Sequence, residues 1–175
     1  MSHKRNIVNI VICVMLIAGL TLACGFTNSS STGNELEITQ IKNVVIKAQD
    51  VTSYALRTGD TSNLSSVLSG QYLTDSEDNI YKVFNGGYYG NIIAHEEITF
   101  NEITIDPNGS TAKVDYAYNG TIQLVSLATN QCEKSLDNQN FGGIYFLEKI
   151  SGKWYITTYQ NTQSSSSDDW HSPCW

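Results

Sequence analysis

Residues 98–118 read ITFNEITIDPNGSTAKVDYAY, and this stretch decides the fold class. In its second half Ala112, Val114, Tyr116 and Tyr118 alternate with Lys113, Asp115 and Ala117, the period of two that a half-buried strand requires. In its first half Ile98 and Phe100 share one parity while Ile103 and Ile105 take the other. One extra residue near Asn101 reconciles them, which predicts a β-bulge that bends the strand. Between the halves, Asp106-Pro107-Asn108-Gly109-Ser110 is a turn: proline fixes one dihedral and Asn-Gly accepts positive ones. A bent antiparallel hairpin follows.

Toward the C-terminus, residues 121–127 extend the second strand past a kink at Gly120. Residues 128–140 read as a polar loop holding Cys132, and residues 144–150 and 154–159 form a hairpin about Ser151-Gly152. Trp154 and Ile156 are expected to pack on a helix. Toward the N-terminus the period changes. Ile38, Ile41, Val45 and Ala48, with Val44, Val51 and Ala55 one row over, recur at three and four, predicting a long amphipathic helix from Glu35, capped by Asn34 with Glu37 reaching back, and ended by Gly59. A short second helix is expected over residues 60–70, carrying Leu64, Val67 and Leu68, and a third from Asp75 or Ser76, bearing Ile80, Tyr81 and Phe84 and stopping at Gly86-Gly87. Tyr88 to Ala94 shows no clear period. Helices first and antiparallel strands afterwards define an α+β domain with a strongly bent antiparallel sheet.

Ahead of this lies a segment that is not part of any core. His3, Lys4 and Arg5 form a basic head, residues 6–23 carry no charge, and small residues lead to Cys24. That is the layout of an export signal. Ala23-Cys24 resembles the lipobox of bacterial lipoproteins, although Thr21 stands where that family usually has leucine; an uncleaved anchor, which needs about 20 apolar residues, is the alternative. The expected organisation is a signal peptide over 1–23, a tether over 24–34 rich in Ser, Thr, Gly and Asn, the domain over 35–160 and a Ser-rich tail over 161–175. Lipidation of Cys24 would hold the domain on the extracytoplasmic side of a cell membrane or outer membrane through acyl chains, two or more of which suffice for stable anchoring.

The 175 residues carry 10 basic and 17 acidic side chains, a net charge of −7. Loss of Lys4 and Arg5 with the signal leaves 8 basic residues against 17, or −9. Such a surface repels nucleic acid and anionic headgroups, so nucleic acid is not an expected partner. With Cys13 in the signal and Cys24 lipidated, Cys132 and Cys174 remain as a candidate disulfide that would close a loop of about 40 residues.

The long N-terminal helix, the bent sheet and the closing Gly152-Lys153-Trp154-Tyr155-Ile156 strand resemble the cone-shaped superfamily of nuclear transport factor two, ketosteroid isomerase and SnoaL-type cyclases. Within it, residues 64–73, the strand over 112–117 and residues 152–156 are similar to the intermembrane-space domain of plastid division proteins. The resemblance covers roughly residues 38–159. It implies a sheet curled over the long helix around a pocket that some members use for acid–base chemistry, others for ligands or peptides, and others only as a core.

An isomerase-like site needs a carboxylate base and a tyrosine donor in one dry cavity. The residues that could supply these are Asp115, Tyr116, Tyr118, Tyr54, Tyr81 and His95 beside Glu96 and Glu97. Asp115 points away from Tyr116 and Tyr118 on one strand, and no catalytic motif of the family matches, so no catalytic residue is assigned. His95-Glu96-Glu97 and His171-Ser172-Pro173-Cys174 lack ligand spacing for zinc, and no metal or cofactor is expected. The candidate pocket residues are Tyr54, Tyr81, Tyr116, Tyr118, Tyr155 and Tyr159, with Tyr88 and Tyr89 as further aromatics. The sequence thus leads to the expectation of a lipid-anchored, extracytoplasmic, non-catalytic domain that binds a small apolar ligand or an envelope protein partner. A small isomerase, dehydratase or cyclase using the cavity under the sheet is the alternative.

Overall fold

The computed structural model describes residues 35–162 and Cys174. The signal, Cys24, the tether and nearly all of the tail lie outside the described residues. Helix α1 runs over Glu35–Thr58 and a 3₁₀ turn over Leu64–Ser66; helix α2 spans Gly70–Asn85. Five strands follow, β1 Tyr88–Ala94, β2 Thr99–Ile105, β3 Thr111–Ser126, β4 Cys132–Ile150 and β5 Lys153–Asn161. All pair antiparallel in the order β1-β3-β4-β5, while β2 shares the β1 edge of β3. β3 can host both because it is 16 residues long: β1 lies on its C-terminal half and β2 on its N-terminal half.

The expected bulge in β2 is present, with the register slipping between Phe100 and Glu102. The extra residue, Asn101, ties its amide to the Asp115 carboxylate at 3.0 Å. β5 repeats the device. Thr157 has no partner between Ile156 and Thr158, and its hydroxyl donates to the Phe146 carbonyl at 3.3 Å. Each bulge bends its strand and resets which parity faces the helix, so Trp154, Ile156 and then Tyr159 all turn inward. The turn between β2 and β3 is held by Asp106 Oδ1, which accepts from the amides of Ser110 and Thr111 at 2.9 Å each. The β4–β5 turn places Ser151 and Gly152 at φ 51° and 82°, the pair of positive dihedrals that a tight hairpin of this twist demands.

Three expectations change. Residues 60–70 form only the 3₁₀ turn, because Val67 to Ser69 are drawn out along β5: Ile156 N–H donates to Val67 O at 2.9 Å and Ser69 N–H to Ile156 O at 3.0 Å. Leu64, Val67 and Leu68 are buried all the same. Released from that connection, α2 starts at Gly70, five residues before Asp75, which brings Tyr72 into its first turn. Residues 132–140 are not a loop but the first half of β4, paired with β3 through bulges near Asn138 and at Glu133. Tyr88 to Ala94, which had no readable period, is β1.

The core lies between α1 and the concave face of the sheet. Ile41, Val45 and Ala48 of α1 meet Val114, Leu147, Trp154 and Ile156, none more than 2% exposed. Each such aliphatic side chain contributes about 1.5–3 kcal/mol by leaving water. A smaller cluster of Ile122, Leu136 and Phe141 fills the other end, and Tyr118 packs on both. Glu37 clamps the first turn of α1 to the β4–β5 hairpin: one carboxylate oxygen pairs with Lys149 Nζ and the other accepts from Trp154 Nε1 at 2.8 Å. The expected cap at Asn34 lies outside the described residues. Both hydrogen bonds favour the charged form, so the Glu37 carboxyl is held below its ordinary range. Among the described residues no helix is long and apolar enough to cross a membrane.

Candidate functional site

Between the two core clusters the concave face is lined by tyrosine. Tyr116 and Tyr118 come from β3, Tyr145 from β4, Tyr159 from β5 and Tyr72 from the first turn of α2. Tyr116 and Tyr145 stack with ring centroids 4.6 Å apart and planes 11° apart. Tyr159 lies 5.3 Å from Tyr145, and Tyr72 closes the group at 6.2 Å from each of Tyr145 and Tyr159. Tyr118 leans on Phe141 at 5.2 Å.

One glycine makes room for this. Tyr159 lies against the β4 backbone, its hydroxyl donating to the Gly142 carbonyl at 3.1 Å. A Cβ on Gly143 would stand 2.4 Å from Tyr159 Cε2 and 2.6 Å from the Gln160 carbonyl. No residue with a side chain fits there without moving the ring.

Burial pushes all five hydroxyls above the ordinary tyrosine range; neighbouring tyrosines add to this at Tyr72, Tyr116, Tyr118 and Tyr159, whereas hydrogen bonding to Tyr116 and Tyr72 offsets part of it at Tyr145. Besides burial and one another, the group that shifts them is the neutral amide of Gln49 on α1. The lining is therefore uncharged at physiological pH. Four of the rings are only half-buried, Tyr116 alone being fully so. The buried side-chain polar atoms without a partner among the described residues are Ser66 Oγ and Ser69 Oγ, with no tyrosine hydroxyl among them. The tyrosine rings keep some exposed area while their hydroxyls are desolvated, so among the described residues they form a recess of the concave face that is not fully closed. Tyr159 is bonded to the backbone, the Tyr145 hydroxyl is within reach of those of Tyr72 and Tyr116, and Tyr118 is within reach of Gln49.

Of the six tyrosines singled out from the sequence, the structure brings Tyr116, Tyr118 and Tyr159 together. Tyr54 and Tyr81 stand outside, 41% and 68% exposed on α1 and α2. Tyr155 faces out from β5, its ring under Lys153 Nζ at 4.9 Å. Tyr72 and Tyr145 complete the recess. Tyr145 faces Tyr159 only through the bulge at Thr157, since the register of the turn alone would pair Tyr159 with Ile144; Tyr72 was hidden by the later helix start. Tyr88 and Tyr89 are tied to Glu133 at 3.0 Å and Asn130 at 2.9 Å at the far end of the sheet. His95 holds Thr121 Oγ1 at 2.9 Å and Asp115 holds Asn101, both away from the tyrosines. Among the described residues no group of His, Cys, Asp and Glu could hold a metal ion. Cys132, at the start of β4, is bonded to Cys174 with Cα atoms 5.7 Å apart, 42 residues along the chain.

No protein-family description and no curated protein matches the chain. Solved structures do. The intermembrane space region of the chloroplast protein ARC6 superposes with a TM-score of 0.60 at 18% identity, covering 71% of this chain and 96% of that one. A nuclear transport factor 2-like superfamily protein from Salmonella enterica serovar Typhimurium is a looser likeness, TM-score 0.46 at 12% identity, covering 74% of this chain and 96% of that one. The chain has the α+β cone fold, helices followed by a strongly curled antiparallel sheet, that the sequence resemblance implied. At these identities the likeness speaks of fold alone.

Proposed function

We propose that this chain is a lipid-anchored extracytoplasmic domain that holds a small, uncharged, largely apolar ligand in the tyrosine-lined recess without transforming it. One observation carries the reading. The hydroxyls of Tyr72, Tyr116, Tyr118 and Tyr145 are desolvated and, among the described residues, are shifted only by one another, by Tyr159 and by the Gln49 amide, with no charged group beside them. Hydroxyls that mainly meet one another keep donor and acceptor capacity that water or a ligand can take up. A ligand offering an apolar body to the stacked rings and one carbonyl or hydroxyl to the hydroxyls answers both needs. The raised hydroxyls stay protonated, so they donate hydrogen bonds and do not abstract protons. The anchoring rests on the basic head, apolar middle and Ala23-Cys24 of the leader.

Two measurements test this. Labelled palmitate should enter the wild-type chain and not Cys24→Ser. The full chain in detergent micelles should saturably enhance the fluorescence of the neutral probe N-phenyl-1-naphthylamine. Tyr145→Leu should weaken that binding roughly tenfold by removing both stacking and a donor, while Tyr145→Phe loses only the donor and retains most of it. Equal probe binding in all three proteins would overturn the recess as the site.

A further inference from the structure

A second concavity lies away from the recess, where α1 ends and α2 passes it. It measures about 570 Å³, and Gly59, Thr61, Glu77, Asp78, Tyr81 and Phe84 line it. Its floor depends on Gly59, at φ +75°, where a Cβ would come within 3.2 Å of the Phe84 ring. Its wall is Tyr81, the most exposed large aromatic described, at 68%. Glu77, Asp78 and Tyr81 lie on one side of α2, at spacings of three and four, turned away from the buried stripe of Ser76, Asn79, Ile80 and Val83.

Neither carboxylate has a hydrogen bond or ion pair among the described residues. Lys82 follows Asp78 by one turn and Arg57 ends α1, yet the ion pair found among the described residues is that of Lys149 with Glu37. Two unpaired carboxylates, a threonine hydroxyl and two aromatic rings in one cleft match a small organic cation: acceptors for N–H donors on one side, ring faces for the hydrocarbon on the other. The cleft also lies at the opposite end of the 24-residue α1 from the tether, about 35 Å away at 1.5 Å per residue. It therefore favours a soluble ligand over a lipid headgroup.

We propose that this cleft binds a primary alkylammonium ion, its nitrogen between Glu77, Asp78 and Thr61 and its chain along Tyr81 and Phe84. The site is independent of the tyrosine recess and does not require it to be occupied.

The test is calorimetric titration of the full chain in non-ionic detergent micelles at near-physiological salt. The probes are n-pentylammonium and tetramethylammonium, the second carrying the charge without an N–H. The wild type should prefer n-pentylammonium. E77Q/D78N should weaken it roughly fivefold and Y81A roughly threefold, the range expected of exposed charge and cation–π contacts. E96Q/E97Q, which makes the same charge change on an exposed segment elsewhere, should leave binding unaltered. All three variants alter exposed or half-exposed side chains, so folding is preserved, and circular dichroism checks it. No binding to the wild type, equal affinity for the two cations, or equal weakening by E96Q/E97Q would each overturn the proposal.

Discussion

The two halves of the concave face are built from the same strands and do opposite things. At the Trp154 end, Ile41, Val45, Ala48, Val114, Leu147, Trp154 and Ile156 are none of them more than 2% exposed, and the polar groups at its border, Glu37, Lys149 and Trp154, are bonded to one another. At the tyrosine end four of the five rings are only half-buried, and most of their hydroxyls meet other hydroxyls and not the backbone. The first arrangement fixes the fold; the second leaves chemistry available inside it. The contrast teaches that aromatic content alone says little about a pocket, since what matters is whether the polar tip of each ring is already answered.

Alkaline pH should separate the halves most strongly. A free tyrosine ionises near pH 10, and each hydroxyl held above that value makes the folded state keep a proton the unfolded chain has lost. Stability is thus complete below about pH 10 and falls as pH rises, by about 1.4 kcal/mol per pH unit for each of the raised hydroxyls. Together these exceed any single substitution. Tyrosinate absorbance at 295 nm should appear in step with loss of circular dichroism. Ionisation of the five recess tyrosines in a still-folded chain would show the recess to be fully wet.

Trp154→Ala strikes the closed half. It should cost about 3–5 kcal/mol, the usual result of emptying a large buried site, read from the urea midpoint. Probe binding in the recess should survive wherever the variant is folded. Gly143→Ala strikes the open half more gently. The added methyl meets Tyr159 and the Gln160 carbonyl at 2.4 and 2.6 Å, so a loss of about 1–3 kcal/mol is expected, together with weaker probe binding because Tyr159 is displaced. A loss of stability with unaltered binding would remove Tyr159 from the recess.

Glu37→Gln should have the smallest effect. The pair with Lys149 is about a quarter exposed on each side, and solvent screening limits it to about 1 kcal/mol or less. Because the folded carboxyl titrates below its ordinary range, its contribution is present above about pH 4.5 and is lost as pH falls through the folded value. Thermal melts should show the variant and wild type converging in acid. A difference that grows on acidification would reverse the sign argued here.

How much of this could be read beforehand depended on where periodicity is local. The Asp106-Gly109 turn, the bulge at Asn101 and the span of α1 all follow from neighbours in sequence, and all are present. The connection at Val67 to Ser69 is set by β5, nearly ninety residues away, so its local apolar spacing suggested a helix that tertiary pairing overrides. The first half of β4 is polar enough to read as loop, and only its place beside β3 makes it strand. Tyr118 and Tyr159 could be suspected from composition. Tyr72 and Gly143 could not, since a ring lying across a bare backbone leaves no periodic trace.

Thr157 gives the sheet a kind of punctuation. Because this residue is supernumerary, its deletion would leave Trp154, Ile156 and Tyr159 facing as they do, yet remove the bend that folds the sheet's end over the rings. Strand length here is consequently a tuning parameter for the width of the recess, and insertions or deletions at this one place could resize it without rewriting a single contact residue.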